Sequence, residues 1–421
     1  MFDLTRVMRS MSILTKNRDF RLIFSATAIS NLGDGVSALA FPWLATLITR
    51  DPTLIALVAV ATRLPWLLFS IPAGVLTDRR DRRTLMVQAD VFRFVLTAGV
   101  IALILNIGSF PPENAEFFHI AILSGIAFLL GSAEVIRDNA AQTVLPSIVD
   151  KSDLERANGQ LWSVEQVMGS FVGPPLAGFL IAMSVPAPFL LDAVTFALAA
   201  WIVWSMTLPK RATPKRRSIR VEMMEGITWM RGHPIIVQLA IMLGIINALH
   251  MATLTILVLF SQDILGLGAA GHGLLLTAAA AGGVLGGLLC PAIAKRLGNR
   301  ASLLWAMLFF TIPFIMTAMT SSAWIAGLAQ FLSMGAGLLW NVVTVSYRQR
   351  AIPDELLGRV NSIYRFFGWG MMPVGALCGG LIVSWAEPGL GREDAIRLVF
   401  YIAGLGSILM LAYGWARLKI T

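Results

Sequence analysis

Apolar residues in this chain come in long runs, without the period-2 alternation of a barrel strand. Twelve runs of roughly 20 residues, the length of helix that crosses a bilayer core, lie between short polar stretches: Leu22–Ile48, Leu54–Leu76, Leu85–Ile107, Phe118–Ile136, Gly159–Met183, Pro188–Leu208, Ile235–Phe260, Gly273–Ala294, Ala301–Thr320, Ala323–Val345, Val360–Trp385 and Ile396–Trp415. They are rich in Leu, Ala, Gly and Ile. A segment in lipid must satisfy its own backbone hydrogen bonds, so the runs predict helices. The expected fold is an all-α integral membrane protein with twelve transmembrane helices.

The polar stretches divide the chain. The longest, 209–234, leaves six runs on either side, so residues 1–208 and 235–421 are expected to form two six-helix bundles. Within it the basic, Pro-bearing run 209–217 precedes a stretch that puts Ile219, Met223, Ile227 and Met230 on one helical face. That pattern predicts an amphipathic helix in the membrane interface, with the basic run held to anionic lipid; a solvated tether is the other reading. A weak repeat supports the division. Leu145-Pro146 followed by Leu154 to Asn158 parallels Ile352-Pro353 followed by Leu356 to Asn361. Two six-helix repeats describe a rocking-bundle transporter with its substrate site between the halves.

Composition narrows the class. Hydrophobic residues make up 57% of the 421 and charged residues 14%, with a mean hydropathy of +0.74, whereas soluble domains carry about 25% charged residues. The net charge of +9 gains its meaning from position. Of the 33 basic residues, 27 fall in the N-terminal arm, the C-terminal tail and alternate connections, three in or at the edge of the opposite connections and three deep inside the runs. The positive-inside rule then puts both termini in the cytoplasm, and the charge needs no nucleic-acid partner. Short loops suggest a prokaryotic inner (cell) membrane, and a monomer is expected. The basic N-terminus has no apolar h-region, so no cleaved leader is expected. Cys290 and Cys378 stand alone and the four histidines are scattered, which implies neither disulfide nor metal site. No cofactor is expected. Without a G-x-x-x-x-G-K-S/T loop ATP is not the energy source, and without a nucleophile–base constellation the chain is not an enzyme.

Ionisable residues inside a span cost about 2.5–3.5 kcal/mol on insertion scales, so each is a candidate for function. Asp34 and Arg63 lie ~18 Å and ~20 Å from the same end of consecutive runs, which makes them a plausible buried pair, either structural or proton-exchanging. Glu165 in the fifth run is a second proton-carrier candidate or a helix–helix hydrogen-bond partner. Asp90 and Arg93, one turn apart, are expected to neutralise each other locally. Asp192 is expected to be structural, and Arg365 has no partner legible in the sequence.

Two stretches carry a family resemblance. Gly74-Val75-Leu76-Thr77-Asp78-Arg79-Arg80-Asp81-Arg82-Arg83 resembles G-x-L-x-D-R-x-G-R-R, the signature loop of the major facilitator superfamily, with Asp81 in place of the second Gly. Gly74 is expected at a close helix approach, and Asp78 as an acceptor at a helix N-terminus. The resemblance implies a cytoplasmic gate in which Arg79, Arg82 and Arg83 meet carboxylates, for which Glu134 and Asp138 are the candidates. The equivalent second-half loop has Lys295 in place of the Asp. In the fifth run Gly169, Gly173, Pro174 and Gly178 resemble the antiporter motif G-x-x-x-G-P-x-x-G-G, which they match at all but one of its glycines; glycine-rich packing is the competing reading.

Together with Gln349 to Asn361, these stretches are similar to the macrolide-efflux and enterobactin-exporter branch of that superfamily. The R-x-x-x-G signature of many drug–proton antiporters is absent, since 119–130 holds no Arg. The resemblance implies a secondary transporter exporting an amphipathic small molecule (a drug, macrolide or siderophore-like compound) in exchange for protons. Its cavity would be lined by the first, fourth, seventh and tenth spans, where Asn31, Asn247, His250, Trp340 and Asn341 are the polar candidates. A lysophospholipid or other lipid-like substrate is an alternative. A non-transporting membrane sensor or scaffold is the alternative of another class.

Overall fold

The structure, a computed structural model, describes residues 13–150, 153–207 and 219–420, and among them there are helices and no strand. The first six long helices are α1 (Arg18–Ile48), α2 (Pro52–Arg79), α3 (Arg82–Ile107), α4 (Glu116–Ile148), α5 (Leu154–Glu165 continued by Gln166–Val172 and Gly173–Met183) and α6 (Ala187–Trp204). The middle segment of α5, Gln166–Val172, is π-helical. A linker helix, Ile219–Arg231, precedes α7 (Pro234–Leu259), which ends in a second π turn, Phe260–Ile264.

One helical run then extends over Ala269–Met319, 51 residues, or ~77 Å at 1.5 Å per residue. That is more than twice a ~30 Å hydrocarbon core. It breaks at Gly298, with φ 77° and ψ 170°, a backbone that glycine adopts without the steric cost of a Cβ. The break yields α8 (269–297) and α9 (299–319). α10 (Ala323–Ala351), α11 (Asp354–Leu390) and α12 (Arg392–Arg417) complete the fold. Among the described residues eleven helices are long and apolar enough to cross a membrane, the broken one among them, so twelve crossings are available.

The surface is apolar where a soluble protein's would be charged. Trp324, Trp385 and Met183 are 90%, 81% and 80% exposed. Trp201 and Trp204 close α6 and Trp415 closes α12, all exposed, as expected of aromatic side chains at a membrane–water boundary.

The described residues form two compact units, one from the chain up to Leu44 with Leu64–Pro214, the other from Ala45–Arg63 with Lys215–Thr421. In the first, α3 packs against α4 and α6. α1 meets α5 backbone to backbone: a Cβ on Gly173 would lie 2.6 Å from Gly35 Cα, and one on Gly35 would strike the Gly169 carbonyl. The second unit repeats the relationship between α7 and α11, where a Cβ on Gly379 would lie 2.6 Å from the Ala252 carbonyl oxygen and one on Gly375 2.6 Å from Ala248 Cα. A second parallel joins helix ends. Arg83, in the first turn of α3, donates to the Met206 carbonyl just past α6 at 2.8 Å. Arg300, at the start of α9, donates to the Trp415 and Leu418 carbonyls at the end of α12, at 2.8 and 3.0 Å.

The linker helix docks on its own unit. Gly226 is pressed against α11, with 2.7 Å left between a Cβ there and Ile363 Cδ1. Glu225 is ion-paired with Arg359, and Met230 is buried in the second unit's core while Met223 is exposed. The helix is therefore held by protein contacts along one face. The side chain of Ile219 and the basic run 209–217 lie outside the described residues.

Candidate functional site

Among the described residues of the first unit, the buried charged side chains gather in a cluster. Arg93 on α3 is 2% exposed and ion-paired with Asp34 on α1. Its Nη1 donates to Ser30 Oγ at 3.2 Å and lies 3.6 Å from Asp90 Oδ1. Its guanidinium sits 3.8 Å above the centre of the Phe196 ring on α6, a cation–π arrangement that strengthens where water is excluded. Asp90 is fully buried, and Arg137 of α4 reaches it through Nε at 3.2 Å. The other end of Arg137 donates to the Ala26 carbonyl at 3.3 Å and meets Asp138 at 3.6 Å. Asp192 on α6 is fully buried and accepts from Ser37 of α1 at 2.6 Å. Glu134 and Asp192 also act electrostatically on Arg93.

Five carboxyls (Asp34, Asp90, Glu134, Asp138, Asp192) thus bear on two guanidiniums, Arg93 and Arg137. The arginines cannot neutralise all of these acids if every one is ionised. Within a low-dielectric span the remaining charge needs another cation. The described residues hold no group of three or more His, Cys, Asp or Glu side chains placed to bind a metal ion.

Several expectations change. The partner of Asp34 is Arg93, not Arg63; Arg63 is exposed. Asp90 and Arg93 do not close on each other alone, because each reaches a charge on another helix. Arg83 donates to the Met206 carbonyl oxygen at 2.8 Å, Arg82 to that of Thr143 at 2.6 Å among its contacts, and Asp138 is ion-paired with Arg137. A Cβ on Gly74 would meet nothing within 4 Å, so that glycine marks no close approach. Arg79 is exposed. The Asp78 side chain lies outside what the structure describes, and the helix N-terminus belongs to Asp81, whose carboxylate accepts from Thr84 N and Oγ1, both at 2.8 Å. Asp81 has φ −65° and ψ 122°, an extended N-cap geometry that favours Asp over Gly. Arg365 lies 5.6 Å from the Trp369 ring centre.

Gly173, Pro174 and Gly178 are buried, and Gly169 sits in the π segment that leads into them. Glu165, half-buried, is the last residue before that segment. Among the cavity candidates, Trp340 is 1% exposed inside the second unit's core and so lines no open cavity. Asn247 is committed to the Gly368 carbonyl at 2.9 Å, tying α7 to α11. Asn31 and Asn341 donate to carbonyls of their own helices, and Asn341 is exposed; His250 is half-buried. Sequence reasoning missed Arg93 and Arg137 as the hubs of the charge cluster and Arg300 as the counterpart of Arg83.

The chain is a multi-pass membrane transporter of the major facilitator superfamily rather than an enzyme, as its family match and relatives show. The chain belongs to the transmembrane secretion effector family, whose model matches residues 11–395. It is 25% identical over 385 residues to the multidrug efflux pump Tap of Mycolicibacterium fortuitum, covering 88% of this chain and 91% of that protein. It is 23% identical over 424 residues to the enterobactin exporter EntS of Salmonella typhimurium, covering 97% and 95%. Its fold matches that of a bacterial homologue of the iron transporter ferroportin with a TM-score of 0.74 at 16% identity, over 95% of this chain and 98% of that one.

Proposed function

We propose that the protein exports an amphipathic small molecule from the cell by alternating access, driven by protons moving inward. It would lie in the inner membrane with both termini cytoplasmic, as the placement of 27 of its 33 basic residues favours. The observation that carries the coupling is the half-buried Asp34 on the fully buried Arg93, in a cluster whose carboxyls outnumber its guanidiniums. When Asp34 takes up a proton, Arg93 loses a counter-charge and the α1–α3 contact weakens. When Asp34 ionises, the contact re-forms. Substrate binding and proton binding would then compete for one helix arrangement, the requirement for exchange. Efflux pumps and siderophore exporters among the relatives support export of a drug-like or siderophore-like compound.

Everted membrane vesicles with an imposed proton gradient, given dyes, macrolides and siderophores in turn, test this. The expected result is substrate-induced proton efflux from the vesicles, abolished in Asp34→Asn. Uptake indifferent to the gradient would overturn the antiport reading.

A further inference from the structure

Among the described residues, no ion pair reaches Asp192. Its Oδ2 accepts from Ser37, but its Oδ1 is fully buried without a hydrogen-bond partner. That oxygen faces the α1 backbone at Gly33, the residue before Asp34, where an added Cβ would collide with it. The nearby Thr195 hydroxyl donates instead to the Asp192 carbonyl, at 2.7 Å. Arg93 stands over Phe196, one turn along α6 from Asp192, yet its nitrogens go to Asp34, Asp90 and Ser30. The charged groups that bear on Asp192 are Asp34 of α1 and Arg93 of α3. The first is an acid, and the second is already shared between two carboxylates.

A lone carboxylate oxygen shut away from water and from donors is costly. A carboxylic acid suits this setting: Oδ2 keeps the Ser37 hydrogen bond as a carbonyl-type acceptor, and Oδ1 carries the hydrogen. Ser37 lies one helical turn beyond Asp34, so both acids attach to the same face of α1. We propose that Asp192 is a second proton-binding carboxyl of the transport cycle, neutral in the state described and able to give its proton to Asp34. Asp34 would become the neutral acid and Asp192 the carboxylate, with no bond to carbon altered. The transport role rests on the proton-exchange reading of Asp34; the proton on Asp192 does not.

The test is infrared difference spectroscopy of the purified protein in phosphatidylethanolamine–phosphatidylglycerol vesicles, stepped from neutral to alkaline pH. Wild type is expected to show a protonated-carboxyl band that shifts in deuterium oxide. Asp192→Asn should lose that band with unchanged helicity, and Asp34→Asn should keep it. A band retained in Asp192→Asn overturns the inference. Ser37→Ala guards against a variant that fails to fold: removing the hydrogen bond to Oδ2 should move the band to higher frequency, and an unmoved band overturns the assignment. Failure of the antiport reading looks different, because it appears as gradient-indifferent export by the wild type.

Discussion

The guanidinium of Arg93 closes on the Asp34 carboxylate and joins α3 to α1 inside the first unit. The two residues are 59 positions apart, and the same arginine is stacked on Phe196 of α6. One side chain therefore sets the spacing of three helices.

Removing one member of a buried pair leaves the other uncompensated. Arg93→Met is expected to destabilise the protein by about 3–5 kcal/mol, read as a fall in unfolding temperature in detergent. Asp34→Asn in the same chain should restore a good part of it. Strictly additive losses would show that the two residues do not interact.

Glycines in the two sequence motifs should respond differently. Gly173→Leu drives side-chain atoms into the Gly35 backbone and is expected to abolish transport and lower folded yield, since overpacking by less than this costs about 1–3 kcal/mol. Gly74→Ala meets open space and should leave stability unchanged or raise it by roughly 0.5–1 kcal/mol. Thermal unfolding of the two variants side by side checks the contrast.

Asp81 stands where the family motif has glycine, and it caps α3. Asp81→Ala should cost about 1 kcal/mol, whereas Asp81→Gly, the family residue, should cost only a few tenths. A larger loss with Gly than with Ala would refute the capping role.

Near the α7 π turn, Asp263 receives Arg50 at 3.2 Å and Arg392 at 2.8 Å, and Arg392 also meets Glu387 at 3.2 Å. Arg50 is largely exposed, so each pair is worth only about 0–1 kcal/mol and is screened by salt. Asp263→Asn is expected to lower stability by about 1 kcal/mol at low ionic strength, with the difference from wild type shrinking as sodium chloride is raised. A salt-independent difference would point to packing instead.

Most of the architecture was legible because each crossing needs an apolar run of fixed length, and the runs stand out at 14% charge. The site was less so. Depth along consecutive helices suggested Asp34 with Arg63. Along the helices of the structure Arg93 is ~16 Å into α3, Arg137 ~16 Å from the end of α4 and Asp34 ~24 Å into α1, so depth alone does not pair them and the crossing of the helices does. The chain fold, not sequence order, makes those three neighbours. Trp340 was misplaced for another reason. A helix in lipid is apolar on its core, cavity and lipid faces alike, so periodicity does not say which way a tryptophan points. Arg300 was hidden because its loop lacks the acid of its counterpart, although the helix-end contact that Arg83 makes survives there.

The π segment of α5 carries one more consequence. Its widened turns insert the equivalent of an extra residue, so the helix leaves Gln166–Val172 out of phase with the way it entered, by roughly the 100° that one α-helical residue subtends. Glu165 and Gly173 therefore obey different angular frames, and no single helical wheel describes α5. Deleting one residue from this segment would restore a continuous wheel and swing Glu165 about the helix axis while Gly173 stayed against Gly35. The angular setting of that acid is thus fixed by a count of backbone turns, independently of the side chains around it.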